Sequence, residues 1–151
     1  MYVDLWERFG ANPVQMSFSE LFPSLQQGVV DGQENPIDLI YSSKFNEVQK
    51  YLTMWNYSYD AIVLGMNKKT FDSLHPEDQK IIREAAAKAN EYQIKLAREK
   101  ETEQIKELEK SMEFHYPTEA EMNVFRETVK PIYEAYESVW GKELLDAFRS
   151  N

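Results

Sequence analysis

The chain has 151 residues, of which 42% are hydrophobic and 28% charged, enough for one domain with a hydrophobic core. Its formal net charge of -9, with no basic patch, excludes a nucleic-acid-binding surface. It has no cysteine, which excludes disulfides and thiolate metal sites, and no apolar run reaches the roughly 18 residues of a membrane-spanning helix.

The amino-terminal part lacks the basic and apolar regions of a signal peptide, so we expect a mature, processed or shortened chain. Apolar residues at helical spacing predict a helix from Tyr2 to Phe9 that Gly10 ends. Alternating apolar residues predict a short strand from Pro13 to Phe18. A helix should follow from about Glu20 to Gln27, because Pro23 is tolerated only in the first turn of a helix.

The stretch from Gln26 to Pro36 combines glycines, two valines and a dense polar cluster. Gly28 suits a helix end, Val29–Val30 a short buried strand, and Pro36 the first turn of a new helix with Asn35 as its N-cap. Two interpretations remain open for the polar cluster. It is either a solvated turn or a ligand site at the carboxyl end of a strand.

The middle of the chain predicts short elements and one long helix. Residues 37–45 suggest a helix, 48–55 are ambiguous between helix end and strand, and 70–74 suggest a short helix. The continuous apolar run Ala61–Met66 predicts a strand buried on both faces. A helix should begin at Pro76 and continue to about Met112.

The predicted long helix has no apolar residue between Arg98 and Gln104. A coiled coil would keep its apolar seam through this middle part. A helix that packs its two ends on two different lobes would not need such a seam. The pattern therefore favours a helix shared by two lobes over a coiled coil.

The carboxyl-terminal part predicts a strand over 113–116 followed by helices. Thr118 and Glu121 have the spacing of a capping box at a helix amino terminus. Pro131 is predicted to begin a further helix, which Gly141 ends.

No arrangement of residues indicates catalysis, a cofactor or a metal. His75 and His115 have no metal-ligand partner at helical spacing, and phosphate-loop, dinucleotide and nucleophile-elbow motifs are absent. Glu20, Asp31 and Glu34 are candidate general acids or bases, but the sequence favours turn capping as the role of carboxylates in such positions. Without a nucleophile–base pair, the sequence predicts no enzyme.

A small-molecule site is better supported than an active site. Phe18 at a predicted strand end, Asn35 at a helix start, and Trp55 and Tyr57 in a polar link supply aromatic walls and an amide. Such groups commonly line sites for small polar ligands. The alternative is that Phe18 and Trp55 belong to the hydrophobic core.

Three segments give the sequence a family resemblance: 10–22, 25–36 with Gly-Val-Val-Asp-Gly-Gln-Glu-Asn-Pro, and 44–53 with Glu-Val-Gln-Lys-Tyr. They resemble the solute-binding proteins of TRAP transporters, the DctP family, and the likeness extends over essentially the whole chain. The resemblance implies a partial α/β periplasmic-binding-protein-like fold with two lobes and one long helix spanning both.

The resemblance also implies a function. A periplasmic receptor would capture a small organic acid, such as a carboxylate, and deliver it to ion-driven membrane permease subunits. Residues 1–60 and 101–151 would belong to the carboxyl-terminal lobe and 61–100 to the amino-terminal lobe. A ligand-sensing extracellular domain and an α-helical interaction module are the alternatives to this function.

By the family motif, Phe18 resembles the aromatic residue that packs on the ligand, and Asn35 resembles the asparagine that hydrogen-bonds it. Tyr57 stands where many members have histidine, and Trp55 is close enough in sequence to contribute. The arginine that binds the ligand carboxylate belongs to the amino-terminal half, which this chain lacks. We therefore expect weak or no ligand binding by the chain alone, and a dimer or domain swap through uncovered apolar faces.

Overall fold

The computed structural model describes residues 2–149 of the chain. These residues form helices and two short strands, in the order α1 (Tyr2–Arg8), α2 (Phe18–Gln26), α3 (Ile37–Ser42), a 3-10 helix (Phe45–Glu47), β1 (Tyr51–Thr53), α4 (Lys68–Asp72), α5 (Pro76–Leu108), β2 (Glu113–His115), α6 (Glu119–Trp140) and α7 (Lys142–Arg149). No helix within the described range is long and apolar enough to cross a membrane.

Gly28 ends α2, as the sequence predicts. Its φ angle of 69° lies in the left-handed region, which glycine adopts without steric cost. The backbone N–H of Val29 donates to the carbonyl of Ser24, and that of Gly28 donates to Leu25. These two hydrogen bonds form a Schellman motif, which satisfies carbonyl groups in the last turn of the helix.

The beginning of α2 differs from the prediction. Residues 11–17 are irregular instead of forming a strand, and Phe18 is the first residue of the helix, after Ser17 as N-cap. Pro23 therefore lies beyond the first turn, inside the helix. The proline ring removes one backbone hydrogen bond from the helix. Burial of Leu25, two residues further along the helix, helps to offset this loss.

Two further predicted strands are wrong. Val29–Val30 forms a bend, and Ala61–Met66 is irregular and exposed. A strand is stable only when its backbone groups pair with a neighbouring strand. The described part of the chain provides no strand beside either segment.

The strands β1 and β2 pair with each other in one two-stranded sheet. The N–H of Met54 donates to the carbonyl of His115 at 2.9 Å, and that of Glu113 donates to Lys50 at 2.8 Å. This pairing resolves the ambiguity over 48–55 in favour of a strand. It also confirms the strand predicted from Glu113 onward.

Helix α5 has 33 residues and begins at Pro76, as predicted. The Nδ1 atom of His75 accepts the N–H of Glu77 at 3.5 Å and caps the first turn. The helix ends at Leu108, four residues before the predicted end. Leu108 and Met112 beyond it are both buried, so the carboxyl end of α5 is the part that contributes most to a core.

Helix α6 confirms one local prediction and corrects another. The hydroxyl group of Thr118 accepts the N–H of Glu121, while the Glu121 carboxylate accepts the N–H of Thr118 at 2.7 Å, which is the predicted capping box. Pro131 does not begin a helix but lies inside α6. Ile132, next to it, is buried, and this packing keeps the helix continuous through the proline. Gly141 ends α6 with a φ angle of 83°.

The chain forms two compact units, whose boundaries differ from those of the predicted lobes. The first unit comprises Met1–Gly32, Thr53–Trp55 and Phe114–Asn151, and the second comprises Gln33–Leu52 and Asn56–Glu113. The buried apolar residues of the first unit are Leu25, Ile132 and Leu145. Those of the second unit are Ile37, Ile40, Phe45, Leu52, Leu108 and Met112. The assignment of residues to lobes stays a prediction.

Candidate functional site

Asn35 lies in the second unit, in the loop before α3, and is half-buried. Its side-chain Nδ2 donates a hydrogen bond of 2.6 Å to Oε1 of Gln33. This bond uses one of the two N–H groups of the carboxamide. The second N–H of Asn35 can donate to an acceptor of a ligand, and its carbonyl oxygen can accept from a donor of a ligand.

Gln33 is a residue that the sequence prediction missed. It holds the carboxamide of Asn35 in one orientation, because its own oxygen can accept but not donate a hydrogen bond. The signal in the sequence was present: two amide side chains stand two positions apart in a loop that follows Gly32.

Phe18 lies in the first unit, at the first position of α2. Its side chain is 49% exposed, unlike the buried Leu25 on the same helix. The hydroxyl groups of Ser17 and Ser19 are 3.2 Å apart on either side of it. A partly exposed ring beside polar groups is suited to packing against an apolar part of a ligand.

Trp55 is part of an aromatic cluster in the first unit. Its ring centroid lies 4.6 Å from that of Phe125, 5.5 Å from Phe9 and 5.9 Å from Trp6. Phe9 and Phe125 also contact each other edge to face at 5.3 Å. These distances are those of favourable aromatic pairs, so Trp55 has a packing role whether or not it also contacts a ligand.

Tyr57 follows Trp55 by two residues but belongs to the second unit. It is half-buried, and Asn56 before it has a φ angle of 47°, in the left-handed region that favours glycine and asparagine. The four predicted residues are therefore distributed evenly, with Phe18 and Trp55 in the first unit and Asn35 and Tyr57 in the second.

The carboxylates considered for acid–base chemistry, Glu20, Asp31 and Glu34, are all exposed. Shifted pKa values lie instead at structural contacts. A hydrogen bond from the Thr118 backbone lowers the pKa of Glu121, and a hydrogen bond to Glu113 raises the pKa of Lys50. These contacts hold a helix cap and the sheet, and they give no indication of catalysis.

A further polar contact joins α1 to α6 within the first unit. The Tyr136 hydroxyl donates to the Asp4 carboxylate at 2.6 Å, and the Tyr136 ring stacks on Trp140 at 5.1 Å. This hydrogen bond lowers the pKa of Asp4 and raises the pKa of Tyr136. Since the folded-state pKa of Asp4 is lowered, its stabilisation is present above the unfolded pKa and is lost as pH falls through the folded pKa.

We expect Tyr136→Phe to lower the melting temperature slightly at neutral pH and to flatten the acid side of the stability profile. The reason is that the variant keeps the stacked ring but loses the hydrogen bond that favours the Asp4 carboxylate. Thermal unfolding followed by circular dichroism between about pH 2 and 7 measures both effects. Tyr92→Phe, at an exposed position of α5, is the control and should leave the profile unchanged. An unaltered profile for Tyr136→Phe would contradict the prediction.

Each of the two histidines interacts with a neighbouring group of the protein. His75 caps α5, and Nε2 of His115 lies 3.4 Å from the carboxylate of Glu121. Within residues 2–149, no group of three or more histidine, aspartate or glutamate side chains is arranged to hold a metal ion.

The chain is similar to known solute-binding proteins. The family model for bacterial extracellular solute-binding proteins, family 7, matches residues 1–139. A solute-binding protein of Roseobacter denitrificans is 46% identical over 93 residues, which are 62% of this chain and 29% of that protein. The C4-dicarboxylate-binding protein DctB of Bacillus subtilis is 33% identical over 144 residues, which are 94% of this chain and 41% of that protein.

The fold is also similar to solved structures. A TRAP periplasmic solute-binding protein from a Polaromonas species, in a crystal structure with D-erythronate, matches 97% of this chain and 48% of its own chain, with 38% identity and a TM-score of 0.86. This likeness confirms the predicted fold class, a partial periplasmic-binding-protein-like α/β fold with two lobes and one long helix. The chain spans less than half the length of each of these three proteins.

Proposed function

The chain belongs to family 7 of the bacterial extracellular solute-binding proteins, the DctP family of TRAP transporters, and we propose that it contributes to the capture of a small organic acid. The observation that carries this proposal is the likeness to the D-erythronate-bound Polaromonas protein, which extends over 97% of the chain in both sequence and fold. Binding, and no chemical conversion, is the function that such a likeness supports.

The ligand class follows from the ligands of the relatives and from the site residues. A C4-dicarboxylate and D-erythronate both carry a carboxylate and further oxygen atoms on a short carbon chain. Asn35 can donate its second N–H to a carboxylate oxygen and accept a hydroxyl group with its carbonyl oxygen. Phe18 in the first unit and Tyr57 in the second are each aromatic residues of the kind that packs on the carbon chain of such a ligand, and Trp55 belongs to the aromatic cluster of the first unit.

The partners and the location follow from the same family. In a TRAP transporter, the receptor carries its ligand in the periplasm to the permease subunits in the membrane. We extend this role to the protein that contains the present chain. The formal net charge of -9 does not favour an anion, and we place the cationic group that binds the ligand carboxylate in the half of the family fold that this chain does not span, as the family resemblance implies.

A hybrid protein tests the function directly. The half of the Polaromonas protein that this chain does not span is joined to the present chain, and D-erythronate binding is measured by isothermal titration calorimetry. We expect the hybrid to bind and the chain alone to bind weakly or not at all. A folded, monomeric hybrid, checked by circular dichroism and light scattering, that binds no member of a panel of organic acids would contradict the proposal.

We expect Asn35→Ala to weaken binding by the hybrid about 5- to 150-fold, since a ligand hydrogen bond in a desolvated site contributes about 1 to 3 kcal/mol. The affinity is again measured by calorimetry. Asn90→Ala, at an exposed position of α5, is the matched control and should bind as the unsubstituted hybrid does. Equal affinity of both variants would remove Asn35 from the site without affecting the proposed receptor function.

A further inference from the structure

The loop before α3 carries two amide side chains on one side of its backbone. Gln33 and Asn35 are both half-buried, whereas Glu34 between them is exposed. This pattern is that of an extended backbone, in which residues two positions apart point to the same side. The hydrogen bond of 2.6 Å from Nδ2 of Asn35 to Oε1 of Gln33 joins the two side chains there. Both residues belong to the second unit, which therefore contains the whole pair.

The residues that follow Asn35 fix its backbone. A residue before proline is confined to extended conformations, and Asn35 precedes Pro36. The carbonyl oxygen of Pro36 accepts the N–H groups of Leu39 and Ile40 in the first turn of α3. Ile37, the next residue, is buried. The Asn35 side chain thus projects from a backbone that is anchored to the core of the second unit, and only its side-chain torsions remain to be set.

The predicted capping role of Asn35 is wrong. The N-cap residue of α3 is Pro36, and Asn35 precedes it by one position. The proline ring has no group that can accept a backbone N–H, so this helix has no side-chain cap. The Asn35 carboxamide extends to Gln33 instead. It is therefore oriented by another side chain and not by the amino terminus of the helix.

The orientation of the Asn35 carboxamide decides which groups it presents to a ligand. A half-turn about its last torsion exchanges the positions of nitrogen and oxygen. The Gln33 oxygen accepts hydrogen bonds and cannot donate them, so it selects the orientation in which the Asn35 nitrogen faces it. The opposite orientation would bring two carbonyl oxygens together and lose the hydrogen bond. In the selected orientation, Asn35 retains one N–H and its carbonyl oxygen for a ligand.

We propose that Gln33 is a specificity-determining residue, which orients the Asn35 carboxamide so that its carbonyl oxygen receives a hydroxyl group of the organic acid. This inference rests on the proposed function, because Gln33 acts here only through an Asn35 that binds the ligand. A hydroxyl group can donate to the Asn35 oxygen, whereas a carboxylate can only accept. The pair therefore favours a hydroxylated acid over a dicarboxylate that has no hydroxyl group.

The orienting contact is measured in the full chain without ligand. Nitrogen-15 relaxation of the Asn35 side-chain amide by nuclear magnetic resonance reports how rigidly this group is held. Gln33→Met keeps the length of the side chain but removes the acceptor, and the order parameter should fall below about 0.6, the range of flexible groups. Gln33→Glu keeps an acceptor and should leave the amide rigid. Gln93→Met, at an exposed position of α5, is the matched control and should have no effect.

The role in binding is measured by calorimetry with D-erythronate and the hybrid protein described above. Gln33→Met should weaken binding about three- to tenfold, the effect of one hydrogen bond. In the Asn35→Ala background, the same substitution should have no further effect, because Gln33 acts through Asn35. A residue that only supports the loop would weaken binding equally in both backgrounds.

The specificity is measured as the ratio of the affinities for D-erythronate and succinate, which has a carbon chain of the same length but no hydroxyl group. Gln33→Met should lower this ratio at least about threefold, since the freed carboxamide can turn its N–H groups toward a carboxylate. Gln33→Glu adds a negative charge that weakens the binding of both anions, but it should not lower the ratio, because the acceptor that orients Asn35 is retained.

Three outcomes overturn the proposal: a rigid Asn35 amide in Gln33→Met, equal weakening by Gln33→Met in both backgrounds, or an unchanged affinity ratio in Gln33→Met. If the unsubstituted hybrid binds D-erythronate, these outcomes remove Gln33 from the site and leave the proposed receptor function intact. A folded hybrid that binds no organic acid overturns the receptor function and, with it, the role of Gln33. Circular dichroism of each variant checks that the helices are intact.

Discussion

Replacing Phe45 by alanine is expected to lower the free energy of unfolding of the second unit by about 3 to 5 kcal/mol. Phe45 is the first residue of the 3-10 helix and has an exposed fraction of 1%. Helix α3 packs both on this 3-10 helix and on α5, so the ring fills the centre of a small core. Its removal would leave a cavity that the short elements around it cannot close.

The effect of Phe45→Ala should be unusually visible because the core of the second unit is small. The buried apolar residues around Phe45 come from α3, β1 and the last part of α5, whereas most of α5 before residue 104 is exposed. A loss of several kcal/mol is comparable to the whole stability of a marginally stable domain. We therefore expect the second unit of this variant to be largely unfolded at room temperature.

Urea unfolding followed by circular dichroism measures the change. Phe148→Ala on α7 is the matched control, since it removes the same ring from a position that is 79% exposed. Its effect should stay within about 0.5 kcal/mol, as for most surface substitutions. Similar small losses for both variants would contradict the burial of Phe45 and the core described for the second unit.

Elements with local signals were predicted well from the sequence. The positive φ angles of Gly28 and Gly141 and the capping box of Thr118 and Glu121 depend on residues within one helical turn. Such signals are complete in a short stretch of sequence. The same holds for the start of α5 at Pro76, where the proline itself sets the first turn.

Strands were predicted poorly because they depend on partners far away in sequence. The apolar pattern of Ala61–Met66 describes a segment suited to burial in a sheet, but the described chain provides no strand to pair with it. In contrast, the ambiguous segment 48–55 became a strand because 113–115 pairs with it. Pattern alone does not contain this information.

The candidate site shows the same difference between local sequence signals and contacts that form only in the folded chain. Asn35 and Phe18 are predicted as ligand contacts because they belong to a recognisable motif, and this assignment stays a prediction. For Gln33 the sequence shows only its spacing from Asn35, and the hydrogen bond between the two amides is visible only in the folded loop. The sequence is compatible with two interpretations of Trp55, a ligand contact and a core residue. Its three aromatic neighbours lie on α1, beside α1 and on α6, far apart in sequence, so only the structure could identify them.

Replacing Trp55 by alanine is expected to lower the free energy of unfolding of the first unit by about 2 to 4 kcal/mol, somewhat less than for a fully buried tryptophan. The ring contacts Trp6, Phe9 and Phe125, and each aromatic pair contributes about 0.5 to 1.5 kcal/mol beyond the burial of area. Trp55→Phe keeps part of these contacts and should lose less than half as much stability as the alanine variant.

The measurement is urea unfolding of the chain without ligand. Under this condition, replacing a core residue lowers the free energy of unfolding, whereas replacing a residue that only contacts the ligand does not. If Trp55 only contacts a ligand, its removal leaves the stability of the ligand-free chain unchanged, as expected for the control Tyr92→Ala at an exposed position. If it supports the core, stability falls before any ligand is added. A Trp55→Ala chain as stable as the control would contradict the packing role of Trp55, and a destabilised chain would confirm that this residue supports the core of the first unit.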